Sequence, residues 1–356
     1  MDDSVFHLLP SLSIGGAESL VLNSVININK KRKYFLVFFD SVDLNLWQQL
    51  SVEQKKHIII IKGRFTISRY IKSIVFLHKN RSSIIITSLW KSVLIVYLYS
   101  FVFKLKKHVA FIHRSTTAHF FDGFFRKWQI NNSILQLADS LPTKNWVISN
   151  CLKPNVFEIP LLFKSDQTFA VKKTGLIKFC YIGRLSKVKN IGKVLELMKR
   201  LYVQLPNSVF DIYGTDQGEL HLVNKFIKNN HLDKIITYKG FLMPWEIKNE
   251  MVSYHYIISL SHTEGMAMSV AEAMQAGVVP IAGNVGGPSE YCRHLINSFM
   301  VFDYSDGSLD AAVKLVAAAS NDEIEYNKMS RAAYDTFSNS DFYEESFEKL
   351  LLKISV

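Results

Sequence analysis

The feature that most constrains this sequence is a strand–loop–helix alternation that runs along the chain twice. Stretches with apolar residues at helical spacing separate most of a series of short apolar runs. The runs of strand length lie at residues 5–9, 34–39, 58–61, 84–87 and 109–113, and again at 177–182, 209–213, 235–238, 256–260 and 278–282. Because apolar strands that alternate with helices form parallel sheets covered on both faces, the sequence predicts two doubly wound α/β domains in tandem.

The length of the chain and one polar segment suggest where it divides. A single core rarely grows to 356 residues, so two domains are expected. A polar, Lys-rich segment separates the two series of strands. We assign residues 1–164 to a first domain, 165–175 to a linker, 176–335 to a second domain and 336–356 to a C-terminal helix. Ligands of doubly wound sheets lie outside the carboxyl ends of the strands, which predicts a site in the cleft between the domains.

The composition excludes several classes of protein. With 48% hydrophobic and 21% charged residues, the chain is neither disordered nor collagen-like. Its three cysteines are far apart and form no Cys-x-x-Cys pair, which indicates reduced thiols in a cytosolic protein. The acidic start argues against an export signal, and the longest apolar stretch, residues 93–103, is too short to cross a membrane. We expect a protein that is soluble or lies on a membrane surface.

The positive charge is concentrated in the first domain. Residues 1–164 contain 22 Lys and Arg against 9 Asp and Glu, whereas residues 165–356 contain 20 against 22. This asymmetry indicates an anionic partner for the first domain. No zinc-finger spacing or RNA-recognition signature accompanies the basic residues, so an acidic membrane surface is favoured over nucleic acid. The basic residues that we assign to this surface are Lys62, Arg64, Arg69, Lys72, Lys104, Lys106 and Lys107.

The basic segment 62–81 has the pattern of a helix. Its Lys and Arg residues are interleaved with aromatic and aliphatic residues at helical spacing, which is typical of an interfacial helix. An alternative stays open, in which the apolar face packs on the core and the basic face is solvated.

A pair of glycines, Gly15 and Gly16, lies between the first strand and the first helix. A backbone without Cβ atoms and the free N–H groups of a helix start can accommodate a phosphate. The alternative is an ordinary tight turn. The chain has no Gly-x-Gly-x-x-Gly fingerprint, which argues against a Rossmann dehydrogenase.

The segment after the first strand of the second domain combines two cations with a helix start. Arg184 follows the strand directly, Lys189 lies five residues later, and Asn190 is a candidate N-cap of the next helix. Both cations could converge on one anion, with the helix dipole adding to their effect. A diphosphate suits this arrangement, because Arg binds oxygens in pairs and Lys supplies a point charge. The alternative is a solvated loop, above all for Lys187.

Two glutamates eight residues apart, Glu264 and Glu272, form a third candidate. Glu264 ends a strand-to-helix turn, and Gly265 permits a ligand to approach the backbone closely. Glu272 lies in an otherwise apolar helix, where a solvated carboxylate would be out of place. Carboxylates in such places hold sugar or ribose hydroxyl groups. The alternative is a structural glutamate paired with a neighbouring cation.

His113, at the end of an apolar strand of the first domain, is the fourth candidate. A lone histidine is often a satisfied core residue, but its position on the cleft side also favours a functional role. His119 is a nearby rival. No Asp-x-Asp pair and no His/Asp/Glu cluster with metal spacing occurs, so no metal is expected. The Gly-x-Ser-x-Gly elbow of serine hydrolases is also absent.

The order and spacing of these motifs resemble the family 4 glycosyltransferases, which are retaining enzymes of the GT-B fold. The motifs are Gly-Gly-Ala-Glu, Gly-Arg-Leu with a Lys five residues after the Arg, the Glu-x7-Glu helix, residues 284–290 and a closing Phe-Ser-Asn. Asn190, where the family usually has Gly, and residues 298–300, which lack the usual Asn-Gly turn, depart from the pattern. The resemblance implies two Rossmann-like doubly wound domains that face a central cleft, with the acceptor side in the first and the nucleotide sugar in the second. The C-terminal helix would pack back toward the first domain.

The resemblance implies a role for each motif. Arg184 and Lys189 would bind the donor pyrophosphate, Glu264 the donor sugar and Glu272 the ribose, while His113 would contact the donor hexose. The turn at residues 240–242 would frame the nucleobase. The residues expected to take part in catalysis are Arg184, Lys189, Glu264 and His113. The residues expected to bind the donor are Gly15, Gly16, Gly183, Gly214, Gly240, Phe241, Gly265, Met266, Ala267, Met268 and Glu272.

The mechanism implied is sugar transfer with retention, without a metal or cofactor. A donor phosphate oxygen would accept the proton of the attacking hydroxyl group, so no enzymic nucleophile is needed. UDP is the default donor nucleotide of the family, and GDP is possible. The expected acceptor is a lipid-linked saccharide at the inner face of a bacterial cell membrane, and the product a surface polysaccharide such as O-antigen, as in lipopolysaccharide, or capsule. A non-catalytic GT-B-like subunit and a nucleotide-sugar epimerase stay open as alternatives.

Overall fold

The structure, a computed structural model, describes residues 4–13, 15–113, 120–163, 169–172, 175–243 and 245–355. The chain divides into two compact units. The first consists of Met1–Leu161 and Asp341–Val356, and the second of Leu162–Ser340. The sequence-based boundaries at 164 and 336 thus differ from these limits by a few residues.

The first unit is built on a seven-stranded parallel sheet in the order β3-β2-β1-β4-β5-β6-β7. Its elements up to residue 161 are β1 (Val5–Leu12), α1 (Gly16–Asn29), β2 (Tyr34–Val42), α2 (Leu44–Gln49), α3 (Val52–Lys56), β3 (Ile58–Ile60), α4 (Thr66–Lys79), β4 (Ile84–Ser88), α5 (Trp90–Ser100), β5 (His108–Ile112), α6 (Phe120–Asn131), β6 (Leu135–Ala138), α7 (Leu141–Asn150) and β7 (Val156–Glu158). Every residue of β4 and β5 is buried, because a parallel sheet is covered on both faces.

The second unit carries a six-stranded parallel sheet in the order β10-β9-β8-β11-β12-β13. Its elements are β8 (Ile177–Ile182), a short 3-10 helix (Lys187–Lys189), α8 (Ile191–Gln204), β9 (Ser208–Tyr213), α9 (Leu220–Asn229), β10 (Ile236–Gly240), α10 (Ile247–Met251), β11 (Tyr256–Ser259), α11 (Met268–Gln275), β12 (Val279–Gly283), α12 (Pro288–Tyr291), β13 (Phe299–Val301), α13 (Asp306–Ser320) and α14 (Glu323–Asp335). The strand order reverses between β8 and β11, and ligands of doubly wound sheets bind at such a switch point.

The segment before β8 contacts the rest of the second unit through hydrogen bonds that could not be predicted from the sequence. Lys172, which falls in the predicted linker, donates from its backbone N–H to Asn327 Oδ1 (2.9 Å) and from Nζ to the Tyr254 carbonyl (2.5 Å). Burial lowers the pKa of Lys172 to about 8. Lys172 therefore belongs to the second unit, while residues 164–168 and 173–174 of the predicted linker lie outside the described residues.

The last helix, α15 (Tyr343–Ser355), belongs to the first unit. Its Glu344 accepts hydrogen bonds from Asn27 Nδ2 (3.0 Å and 3.2 Å), and its Glu348 pairs with Lys31 (2.5 Å). Both contacts join α15 to α1 and its C-terminal end. In the part of the chain that the structure describes, no helix is long and apolar enough to span a membrane.

Candidate functional site

Three of the predicted glycines meet at the carboxyl edge of the second unit's sheet. Gly183 follows β8, Gly214 follows β9, and Gly240 ends β10. The Gly214 N–H donates to the Gly240 carbonyl (2.7 Å), and a Cβ atom on Gly214 would lie 1.7 Å from the Gly183 carbonyl oxygen. Gly240 has a left-handed φ of +82°. Any larger residue at position 214 would therefore force these loops apart.

Arg184 directly follows Gly183 at this edge. Hydrogen bonds fix its backbone, and its side chain is exposed. The Arg184 carbonyl accepts a hydrogen bond from the Tyr181 hydroxyl (2.8 Å), and the next residue, Leu185, is tied to the loop after β9 by its N–H bond to Thr215 (2.9 Å). The guanidinium makes one long contact, 3.5 Å from Nη1 to Gln217 Oε1. A rigid backbone that presents an exposed guanidinium suits the binding of an anion.

Lys189 and Glu264, which are 75 residues apart, form an ion pair with 2.5 Å between Nζ and Oε1. The same Glu264 oxygen accepts a hydrogen bond from Ser261 Oγ (2.6 Å), and the Ser261 carbonyl accepts one from the Tyr304 hydroxyl (2.6 Å). The Glu264 side chain is only 9% exposed. The structure therefore brings Lys189, the predicted phosphate-binding cation, into direct contact with Glu264, the predicted sugar-binding carboxylate.

Asn190 is the N-cap residue of α8, as the sequence predicted, but its side chain makes no capping hydrogen bond. Its backbone adopts the left-handed conformation (φ 52°, ψ 43°), which joins the short 3-10 helix to α8. Asn tolerates this conformation better than most residues.

The loop from Gly265 to Met268 is held by Gly287, just before α12, and by Tyr291, at the end of α12. The Gly265 carbonyl accepts from the Gly287 N–H (2.6 Å), and the Met266 carbonyl accepts from the Tyr291 hydroxyl (2.8 Å). Ala267 has a left-handed φ of 53° and precedes α11, which Met268 opens. Because its carbonyls are already used, this loop has its backbone N–H groups at a helix start, where they suit oxygen acceptors.

Glu272 lies on α11 with its side chain buried, as the sequence predicted. Burial raises its pKa to about 7, and the positive charge of Lys248 partly opposes that rise. Among the described residues, no hydrogen bond to the Glu272 carboxyl group is found. A buried carboxyl group in this situation gains free energy from any ligand that supplies hydroxyl donors. Phe241, the other predicted residue of this unit, is partly exposed just after β10.

The Gly15–Gly16 turn lies against Glu18, the glutamate of the Gly-Gly-Ala-Glu motif, to which the sequence analysis gave no role. A Cβ atom on Gly15 would lie 2.5 Å from Glu18 Oε2, so a larger residue there would require the flexible end of the Glu18 side chain to shift. Glu18 lies in the first turn of α1 and is 9% exposed. A carboxylate near the N-terminus of a helix is stabilised by the helix dipole, which is the same place that a donor phosphate would use.

His113 follows β5 in the first unit, and its ring contacts buried residues of that unit. Its Nε2 lies 2.8 Å from Ser88 Oγ, and its ring packs on Phe111 with 4.2 Å between the ring centroids. Ser88 Oγ in turn lies 2.7 Å from Nε2 of the buried His7. The rival His119, and Arg114 beside His113, lie outside the described residues.

The two basic segments of the first unit lie side by side. The Phe103 ring packs on His78 of α4, with 4.4 Å between the centroids. On α4, the side chains of Ile67, Ile71 and Val75 are exposed and recur every four residues, which puts them on one face of the helix. Of the basic residues predicted for the membrane surface, Lys62, Arg64, Lys72, Lys104 and Lys106 are exposed.

Two of the predicted membrane residues behave differently from the others. The Arg69 guanidinium donates to the Asp40 carbonyl and to Thr66 Oγ1 (3.0 Å), so it ties α4 to β2. Lys107 is half-buried.

In the described part of the chain, no group of three or more His, Cys, Asp or Glu side chains has the arrangement of a metal site.

Comparison with known proteins identifies the class of the second unit. Residues 164–336, just under half of the chain and all within that unit, match the family model described as glycosyl transferases group 1. The crystal structure of Anabaena HepE in complex with UDP and glucose has the same fold, with a TM-score of 0.81, 15% identity and coverage of 99% of both chains. The two parallel-sheet Rossmann-like domains are therefore those of a GT-B glycosyltransferase fold, as predicted.

Two curated relatives are glycosyltransferases. One is the GtfA subunit of the UDP-N-acetylglucosamine–peptide N-acetylglucosaminyltransferase of Streptococcus pneumoniae, 24% identical over 207 residues. The other is an uncharacterized glycosyltransferase, MJ1069, of Methanocaldococcus jannaschii, 24% identical over 211 residues. The alignments cover 58% and 54% of this chain, but only 39% and 51% of the relatives. The prediction of a glycosyltransferase is confirmed at the level of the domain that residues 164–336 form.

Proposed function

We propose that the protein is a retaining glycosyltransferase that moves a hexose or N-acetylhexosamine from a nucleotide diphosphate sugar to a lipid-linked saccharide. One observation carries the proposal. Lys189 pairs with Glu264 beside the switch point of the second unit's sheet, and Arg184 follows the carboxyl end of β8, where three glycines pack closely. This edge of the sheet offers two cations for a diphosphate and a carboxylate for sugar hydroxyl groups.

The leaving diphosphate gains negative charge as the glycosidic bond breaks. Arg184 and Lys189 stabilise that charge, and the N-terminus of α8 adds its dipole. Glu264 and the N–H groups of residues 265–268 hold the sugar, Glu272 accepts hydrogen bonds from the ribose, and His113 contacts the hexose. No metal is needed in this scheme. The acceptor hydroxyl group attacks from the face of the departing diphosphate, and a diphosphate oxygen accepts its proton, which gives retention.

A UDP-sugar is the donor that the comparisons favour. The HepE structure holds UDP and glucose, and the name of the pneumococcal relative specifies UDP-N-acetylglucosamine. GDP would fit the same diphosphate contacts, so the nucleobase alone distinguishes the two.

The acceptor proposal rests on the surface of the first unit. Exposed apolar side chains on one face of α4 and the exposed Lys and Arg residues of the two basic segments suit a bilayer that contains anionic lipid. We place the enzyme on the inner face of a bacterial cell membrane, where it extends a surface polysaccharide such as O-antigen or capsule. Arg69 is left out of the lipid-binding set, because Asp40 and Thr66 engage its guanidinium.

Calorimetric titration with UDP and with GDP, in the presence of a chelator, tests the donor site. Micromolar binding of one nucleotide without metal is the expected result. The release of UDP from UDP-glucose and UDP-N-acetylglucosamine, with extracted bacterial lipid-linked saccharides as acceptors, then tests transfer. Nucleotide binding with no turnover on any acceptor would favour a non-catalytic subunit, and no binding of either nucleotide would contradict the proposed site.

A further inference from the structure

A chain of hydrogen bonds crosses the first unit's sheet and ends at His113. Tyr34 Oη lies 2.8 Å from His7 Nδ1, His7 Nε2 lies 2.7 Å from Ser88 Oγ, and Ser88 Oγ lies 2.8 Å from His113 Nε2. Tyr34, His7 and Ser88 are fully buried, whereas His113 is partly exposed. Polar atoms therefore lead from the core to the carboxyl edge of the sheet.

The register of the sheet explains how residues so far apart in sequence form this chain. Tyr34 of β2 is paired with Val5, which is two residues before His7 on β1. His7 is paired with Ile86, which is two residues before Ser88 on β4. Ser88 is paired with Phe111, which is two residues before His113. Each step crosses one strand and moves two residues along it, so all four side chains lie on one face of the sheet.

The chemistry of a neutral histidine makes the chain directional. Burial, helped by the nearby His113, lowers the pKa of His7 to about 3, so His7 is neutral near pH 7. A neutral imidazole has one N–H donor and one acceptor nitrogen. If His7 accepts from Tyr34, it donates to Ser88, whose hydroxyl group then donates to His113 Nε2. If His7 donates to Tyr34, every bond in the chain is reversed.

We propose that Ser88 and His7 are positioning residues that fix the ring orientation and the tautomer of His113. The proposal rests on the proposed function, in which His113 contacts the donor hexose. A single hydroxyl group between two histidines sets which nitrogen of His113 carries a proton, and hence whether Nδ1 is a donor or an acceptor. Neither residue contacts the substrate itself. Partners of this kind around a functional imidazole typically control its orientation in the same way.

Ser88→Ala is the first test, because it removes one hydroxyl group and little volume. We expect kcat for sugar transfer to fall by about tenfold to a hundredfold, with a smaller change in the KM of the donor. Ser88→Thr, which keeps the hydroxyl group, should restore part of the rate. Ser24→Ala is the matched control, since Ser24 is equally buried in the same unit and donates only to the Val21 carbonyl of its own helix.

A double-mutant cycle with His113→Ala separates positioning from general damage. If Ser88 acts through His113, Ser88→Ala should cost no further activity in the His113→Ala background. Equal losses in both backgrounds would overturn the proposal. His7→Leu should give the same pattern, and thermal unfolding of each variant shows whether the fold is intact.

Nitrogen NMR of the histidine side chains gives a readout that does not depend on activity. In the wild type, the two His113 nitrogens should show one dominant tautomer, and Ser88→Ala should change that ratio. An unchanged ratio would overturn the positioning role. If His113→Ala turns over normally while the NMR change is present, the proposed contact of His113 with the donor is wrong and its positioning by Ser88 is retained.

Discussion

The Lys189 ammonium and the Glu264 carboxylate are joined directly, with Nζ 2.5 Å from Oε1. In the proposed donor complex, each has another partner: the diphosphate for Lys189 and the sugar hydroxyl groups for Glu264. A diphosphate therefore competes with Glu264 for the same ammonium group. Both side chains are mostly buried, so this competition takes place where charges are weakly screened.

Glu264→Gln should separate nucleotide binding from sugar transfer. Without the carboxylate, Lys189 is available to the diphosphate, so the affinity for UDP should be unchanged or higher. Transfer from a UDP-sugar should fall by ~10²-fold, because the sugar loses a charged hydrogen-bond acceptor. Calorimetry with UDP and initial rates with the UDP-sugar measure the two effects.

Glu53→Gln is the control for that substitution. Glu53 pairs with Lys56 at 2.7 Å on α3 of the first unit, so the variant removes an ion pair of similar length outside the proposed donor site. It should leave both UDP affinity and transfer near the wild-type values. A loss of UDP affinity in Glu264→Gln equal to its loss of transfer would contradict the competition.

Arg184→Ala should lower kcat for transfer by ~10² or more, because the guanidinium is expected to stabilise charge on the leaving diphosphate. Lys187→Ala provides a comparison within the same loop, since Lys187 is also exposed and has no proposed role. We expect it to turn over normally. Near-normal rates for Arg184→Ala, or equal losses in the two variants, would remove Arg184 from the mechanism. Steady-state rates at saturating donor decide between these results.

The positions of Arg184 and Glu264 could be predicted from the sequence, because each residue directly follows a recognisable strand. Residues at the carboxyl ends of neighbouring parallel strands meet at one edge, so Arg184 after β8 and Glu264 after β11 had to be near each other. The direct pairing of Lys189 with Glu264 could not be predicted, since it depends on side-chain conformations 75 residues apart.

The missed features have similar physical reasons. Strands β6 and β7 contain only three or four residues and each includes a polar one, Gln136 or Glu158, so neither forms an apolar run like that of β3. The hydrogen bond between His7 and Ser88 joins residues 81 positions apart, and only the strand register brings them together. Arg69 carries the same charge as its neighbours, and its contact with Asp40 separates it from them only in three dimensions.

Glu272 should make nucleotide binding depend on pH. Burial raises its pKa to about 7, and ribose hydroxyl groups favour the carboxylate form. UDP affinity should therefore fall as the pH decreases from about 8 to about 6, and binding near neutral pH should release protons. Calorimetry in buffers with different ionisation enthalpies measures the proton release. Glu272→Gln should bind UDP more weakly at high pH and release fewer protons.

The same carboxyl group should affect stability with a defined sign. The folded protein binds the Glu272 proton up to about pH 7, whereas the ordinary glutamate pKa of 4.5 applies to the unfolded chain. The folded state holds more protons in this range, so the free energy of unfolding should fall as the pH rises from 4.5 to about 7. Glu272→Gln should therefore gain stability relative to the wild type as the pH rises. The same substitution at the exposed Glu323 should not gain stability as the pH rises. Equal pH dependence of stability in Glu323→Gln and Glu272→Gln would contradict the raised pKa of Glu272.

The face of α4 should bind bilayers through both charge and apolar contact. The double variant Lys62→Glu and Arg64→Glu should weaken binding to vesicles containing phosphatidylglycerol by about thirtyfold or more, at about 1 kcal/mol for each basic residue removed and more for its reversal. Ile67→Ser with Ile71→Ser should weaken binding at high salt as well, because it removes apolar area that salt does not screen. Co-sedimentation across a salt series measures both. Lys225→Glu with Lys228→Glu, on the second unit, makes the same change in net charge and should have little effect. Equal weakening by that control, or wild-type binding that does not fall with salt, would show that the α4 face is not the docking surface.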